Sequence, residues 1–161
     1  MNRSSFAIAA VFTLAACNPF RSPMKQDPVV EVTRDANLNS RWNGSLASPV
    51  SLAGAVQIRG VASMTPATQG GTQVNLDLSN ATPGGVHPWQ LRRGQCGADE
   101  GEFGQADKYQ AVKINDQGRG SSNAVVTETM PTDGRFYVRA GASSANAETV
   151  VACGNLAAPS R

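Results

Sequence analysis

The chemistry open to this chain is limited by its inventory. Among 161 residues there is one histidine, His87, and there are three cysteines, Cys17, Cys96 and Cys153. An imidazole serves as a metal ligand or a general base only in company, with further ligands at suitable spacing or a nucleophile within reach. His87 lies beside Pro88 in the stretch 84–97 (GGVHPWQLRRGQCG), with no second histidine and no cysteine at ligand spacing. Asp99, Glu100 and Glu102 offer oxygen to a hard cation, but the glycines at 97, 101 and 104 break the regular spacing of a calcium loop, and a flexible, solvated loop is expected. Arg92 and Arg93, assisted by Arg139, would attract an anion; the simpler expectation is a solvated strand face whose charges discourage edge pairing. Met64 and Met130 stand outside any methionine-rich motif and read as core fillers rather than soft copper ligands. Trp42 and Trp89 form no stacking platform for bases or sugars, and neither a nucleophile elbow nor a glycine-rich phosphate loop is present.

The N-terminus reads as a targeting segment. Arg3 supplies a positive start and residues 6–16 (FAIAAVFTLAA) an apolar run shorter than the roughly 20 residues of a permanent span. Leu14-Ala15-Ala16-Cys17 resembles the bacterial lipobox, which makes Cys17 a lipid-modified mature N-terminus and the membrane a partner through that lipid. Asn18 after the cysteine suggests the outer membrane, with the domain facing the periplasm. Residues 1–16 are then a signal peptide, 17–46 an anchor and tether carrying Pro19, Pro23 and Pro28, 47–158 the folded domain and 159–161 a tail. Within the tether, residues 29–33 (VVEVT) have the composition of a short edge strand. With Cys17 assigned to lipid, Cys96 and Cys153 remain as a pair, and an oxidising compartment favours a disulfide between them over two free thiols.

The elements that hold these residues are strands. A formal charge of +2 with no basic run beyond Arg92-Arg93 excludes a nucleic-acid footprint, and 40% hydrophobic residues suit one globular core. Val74, Leu76 and Leu78 alternate with Gln73, Asn75, Asp77 and Ser79, a half-buried strand. Further strand patterns occur around 56–61 and at 86–93, 109–114, 122–129, 135–140 and 149–152, separated by Gly, Pro, Asn and Asp turn signals. No run is long enough to compete as an amphipathic helix. The expected fold is all-β: a Greek-key sandwich or flattened barrel of seven or eight antiparallel strands.

Two blocks carry a resemblance. Val86-His87-Pro88-Trp89-Gln90-Leu91-Arg92 with Gly94 and Cys96, and Val151-Ala152-Cys153-Gly154-Asn155-Leu156, are similar to blocks of the copper/zinc superoxide dismutase superfamily. The resemblance covers roughly residues 52–156 and implies an eight-stranded Greek-key sandwich stapled by a disulfide at Cys96 and Cys153. It gives His87 a structural role, tying backbone segments together, and Trp89 the core aromatic position. Gln90 and Arg92 then stand where two copper-binding histidines are expected, and alternation turns both outward while Trp89 and Leu91 go inward. Gly141 takes the place of a further copper histidine, and the superfamily's guiding arginine falls near Val150. A guanidinium stays protonated and does not ligate, and one histidine cannot build a dinuclear site. The resemblance therefore implies a lipid-anchored, non-catalytic structural or binding module without copper, zinc or other cofactor. The alternative is a superoxide dismutase-family enzyme or metal-binding protein with a reduced or relocated site.

Overall fold

The computed structural model describes residues 40–159, apart from 53 and 56. Among the described residues ten strands follow one another: β1 (Trp42–Ala47), β2 (Arg59–Pro66), β3 (Thr72–Ser79), β4 (Val86–His87), β5 (Trp89–Gln95), β6 (Ala98–Glu102), β7 (Val112–Lys113), β8 (Gly120–Val126), β9 (Phe136–Gly141) and β10 (Val150–Leu156). Period-two alternation decides which face each presents. In β3, Thr72, Val74, Leu76 and Leu78 are buried, and the residues between them turn away from the core. Eight strands form one antiparallel sheet in the order β6-β5-β9-β10-β1-β2-β3-β8, while β4 and β7 pair as a separate short ribbon. The chain passes from β3 near one end of the sheet to β5 near the other, returns with β8 to pair against β3 as the edge strand, and goes back with β9 to pair against β5. These long crossings are of the Greek-key kind.

The sheet curls around a single apolar cluster that draws on both halves of the strand order. Met64, Val74, Leu76, Leu91, Val126 and Val138 are fully enclosed in it. Aromatic rings pack edge to face within the cluster: Trp42 on Phe136 at 5.5 Å, Phe136 on Phe103 at 5.4 Å, and Trp89 on Tyr109 at 5.0 Å between centroids. The all-β antiparallel architecture expected from the alternation is the one observed.

Several local expectations are corrected. The folded domain, expected to begin at residue 47, includes residues before it, because β1 begins at Trp42 and runs between β2 and β10. Its pattern is weak because only Trp42 and Leu46 are large and apolar, with Gly44 between them on the inward face. A Cβ at Gly44 would stand 2.3 Å from the Asn155 carbonyl oxygen, so the strands approach too closely there for a side chain to advertise the strand. The run 86–93 is split at Pro88, whose missing N–H interrupts the ladder, into β4 and β5. Of 109–114 only β7 is extended and paired, preceded by a 3-10 turn at Ala106–Lys108. The supposed loop holding Asp99, Glu100 and Glu102 is strand β6, joined to β5 by a tight turn at Cys96 and Gly97. The signal segment 1–16, Cys17 and the run 29–33 lie outside the described residues.

Cys96 and Cys153 form a disulfide across 57 positions of sequence. Cys96 is at the tip of the β5–β6 hairpin and Cys153 is in β10, so the bond spans β9, which separates β5 from β10 in the sheet. The Cys96 N–H also donates to Asn155 Oδ1 at 2.8 Å. In the chain-entropy account, closing a loop of this size contributes about 4 kcal/mol.

The position of β1 is testable through its tryptophan. Trp42→Ala removes a ring that is 3% exposed and packed on Phe136, and is expected to cost about 3–5 kcal/mol in urea unfolding. A tryptophan in a solvated tether would leave the midpoint unchanged.

Candidate functional site

The residues that the resemblance places at copper positions lie on or beside the outer face of β5 and β9. Trp89 and Leu91 are in the core and Gln90 and Arg92 face away from it, as alternation requires. Pairing with β9 sets Gln90 opposite Arg139 and Arg92 opposite Tyr137, while pairing with β6 sets Arg92 opposite Glu102. The β5–β6 turn folds Asp99 back onto the same patch.

Arg92 is its centre. Its Nε donates to Asp99 Oδ1 at 2.9 Å and its Nη2 to Asp99 Oδ2 at 2.6 Å, the two-pronged geometry in which a guanidinium and a carboxylate match best. Nη1 donates to Gln90 Oε1 at 3.0 Å and lies 3.6 Å from Glu102. Only 12% of the Arg92 side chain is exposed, against 45% for Asp99. The solvated strand face expected for Arg92 is thus corrected: its charge is spent within the protein because the hairpin brings a carboxylate to it. Arg139 is held in the same way by Glu148, at 2.9 and 3.0 Å, and Arg135 meets Glu100 at 2.5 Å. Arg93 donates to the Glu102 carbonyl and places its guanidinium over the Phe103 ring, 5.3 Å from the centroid.

These contacts set the protonation states. The Arg92 guanidinium, and after it the Gly101 N–H, hold the Asp99 carboxyl well below the usual carboxylate range. The bond to Asp99 raises the Arg92 pKa in turn, outweighing the opposite effect of burial. Burial, and then the neighbouring Asp99, push the Tyr137 hydroxyl up. Arg139 lowers the Glu148 carboxyl.

Gly141 and His87 meet at the end of this patch. The Gly141 N–H donates to the Pro88 carbonyl at 2.7 Å, and its carbonyl lies 3.0 Å from His87 Nδ1. A carbonyl only accepts, so Nδ1 carries the proton in that bond, which ties β4 to the end of β9. Nε2 is buried with no polar partner among the described residues. Any side chain at Gly141 would be blocked: its Cβ would stand 2.4 Å from the Ala147 carbonyl oxygen. Gly141 is therefore not an open ligand position, because the turn after β9 covers it. Val150 pairs with Gly141 at the start of β10.

The residues present do not fit a copper–zinc pair. The side chains at the candidate position are an amide, a guanidinium that cannot ligate, and a carboxylate already engaged by it. Among the described residues no three His, Cys, Asp or Glu side chains converge. Cys96 and Cys153 are joined to each other, and Met64 is enclosed in the core with Met130 packed against it. Trp42 and Trp89 are both buried.

Sequence reasoning passed over Asp99, Tyr137 and Glu148 as members of this patch. The available signal was the turn at Cys96-Gly97: a hairpin reversing there returns Asp99 to the neighbourhood of Arg92. Nothing in the local pattern announces Glu148, which reaches Arg139 from the turn before β10. Compared with protein-family models, with curated proteins and with solved structures, the chain matches none of them.

The Arg92–Asp99 pair makes a pH-dependent contribution. A carboxyl whose folded pKa is depressed stabilises the fold above its unfolded pKa of about 3.9, and that contribution fades as pH falls toward the folded value. A double-mutant cycle of Arg92→Gln and Asp99→Asn is expected to give a coupling of about 1 kcal/mol at pH 7, limited by the exposure of Asp99 to solvent screening. Below about pH 3 the coupling shrinks. A coupling that persisted unchanged in acid would show that charge is not its origin.

Proposed function

We propose that the chain is a lipid-anchored cell-envelope protein whose superoxide dismutase-like domain has exchanged its metal ligands for an internal ion pair and serves as a non-catalytic structural or binding module. The observation that carries this reading is the two-pronged contact of Arg92 with Asp99, with Gln90 as its third partner, at the place where the resemblance puts copper ligands. Copper cycling requires several neutral nitrogen donors around one ion. The Arg92 guanidinium cannot ligate, and the Asp99 carboxylate it holds is already engaged, so neither side chain is available to a cation.

Other features support the same reading. The eight-stranded antiparallel sheet and the Cys96–Cys153 disulfide suit the sandwich that the resemblance implies. The covered position at Gly141 leaves no room for a third imidazole on β9. The anchor rests on Leu14-Ala15-Ala16-Cys17 after a short apolar run.

Two measurements test the proposal separately. Full-length protein incubated with copper and zinc and then desalted is expected to retain neither metal stoichiometrically and to show no dismutase turnover; one copper per chain with turnover would overturn the non-catalytic reading. Mass spectrometry of the native N-terminal peptide is expected to find acyl chains on Cys17, and an unmodified Cys17 or cleavage elsewhere would remove the anchor.

A further inference from the structure

The outer face of the sheet treats its polar side chains in two ways. Over β6, β5 and β9 three guanidiniums are spent on neighbouring carboxylates: Arg92 on Asp99, Arg139 on Glu148, and Arg135, just before β9, on Glu100. Over β1, β2, β3 and β8 the side chains are chiefly amides and hydroxyls, and few of them are engaged. Register sets Asn43, Ser63, Asn75 and Asn123 opposite one another in a single row across the four strands. A second row of Ser45, Val61, Asp77 and Ser121 runs beside it. Among the described residues, Asn75 Oδ1 accepts from Gln73 at 3.2 Å and Asn43 Nδ2 reaches the Arg41 carbonyl at 3.5 Å; Ser63, Asn123 and Ser121 make no side-chain hydrogen bond.

These rows form the floor of a trough of about 1330 Å³, bordered by Asn155 on β10 and by Gln110, Ala111 and Lys113 beyond β8. The charged side chains along it are Arg41, Asp77 and Lys113, too few and too mixed to select a polyanion or a polycation. An apolar ligand would bury unsatisfied amides, at a cost. An extended peptide spends its backbone groups on a strand edge rather than on a sheet face. A second copy meeting trough to trough would enclose a void. The remaining match is a linear neutral ligand bearing groups that both donate and accept. Each primary amide offers two donors and an acceptor and can bridge adjacent hydroxyls, and the row repeats at the interstrand spacing, about 14 Å over four strands.

We propose that this trough binds a neutral, hydroxyl-bearing glycan chain laid across the strands, with Asn43, Asn75 and Asn123 as its principal contacts. No aromatic side chain lines the trough, so binding depends on hydrogen bonds and is weak. The site goes beyond the module reading and is independent of the Arg92 patch, so the metal experiment neither supports nor removes it.

The test is a titration of isotope-labelled full-length protein with chitotetraose and, separately, cellotetraose, followed by NMR. Saturable shifts are expected in β1, β2, β3 and β8 with at least one sugar; a response to chitotetraose alone assigns part of the recognition to its acetamido groups. Asn75→Val with Asn123→Val is expected to weaken binding about tenfold, while Asp133→Asn, at an exposed position that does not line the trough, leaves it unchanged. If the double variant fails to fold, Asn43→Ala with Ser63→Ala interrogates the same row. No shift with either sugar, shifts confined to β5, β6 and β9, or unaltered affinity in a folded row variant would overturn the proposal.

Discussion

The pairing of β1 with β2 on one side and β10 on the other makes the eight strands one sheet. To one side lie β10, β9, β5 and β6, to the other β2, β3 and β8. Each group carries an apolar inner face, and neither buries it alone. By joining them, β1 lets Leu91 and Val138 share one core with Val74 and Leu76. Trp42 and Leu46 place the strand's own contribution at that junction, and Gly44 allows β1 to approach the Asn155 backbone.

The sequence displays this unevenly, and the reasons are physical. Alternation in β3 is legible because every second residue is a large aliphatic or a polar side chain. In β1 the inward position between Trp42 and Leu46 is a glycine, selected by backbone proximity, and periodicity has nothing to register. β6 carries glycine and acid residues in a bulged register against β5, a pattern that locally resembles a solvated loop. The cysteine pairing was legible from inventory alone, since the choice followed once Cys17 was set aside.

The Arg92 patch marks a different limit. Its outward direction follows from the alternation of β5, but its partners come from β6, β9 and the turn before β10, and only folding brings them together. A strand arginine read alone is a solvated charge. The same arginine with a carboxylate returned by a tight turn is largely desolvated and its charge is internally balanced. Likewise, Gly141 reads as a small residue in a strand, whereas the fold makes it a place where the Ala147 backbone leaves no space for more.

The route by which the chain enters β1 has a mechanical consequence. Asn43 and Ala157 exchange backbone hydrogen bonds of 3.1 and 2.8 Å, so the start of β1 and the end of β10 leave the sheet side by side. A pull applied along β1 at Trp42 would run across the hydrogen bonds that join the strand to its neighbours. Those bonds share the load in shear instead of opening one after another. Such a pull would load an interior strand, a stronger handle than either edge of the sheet.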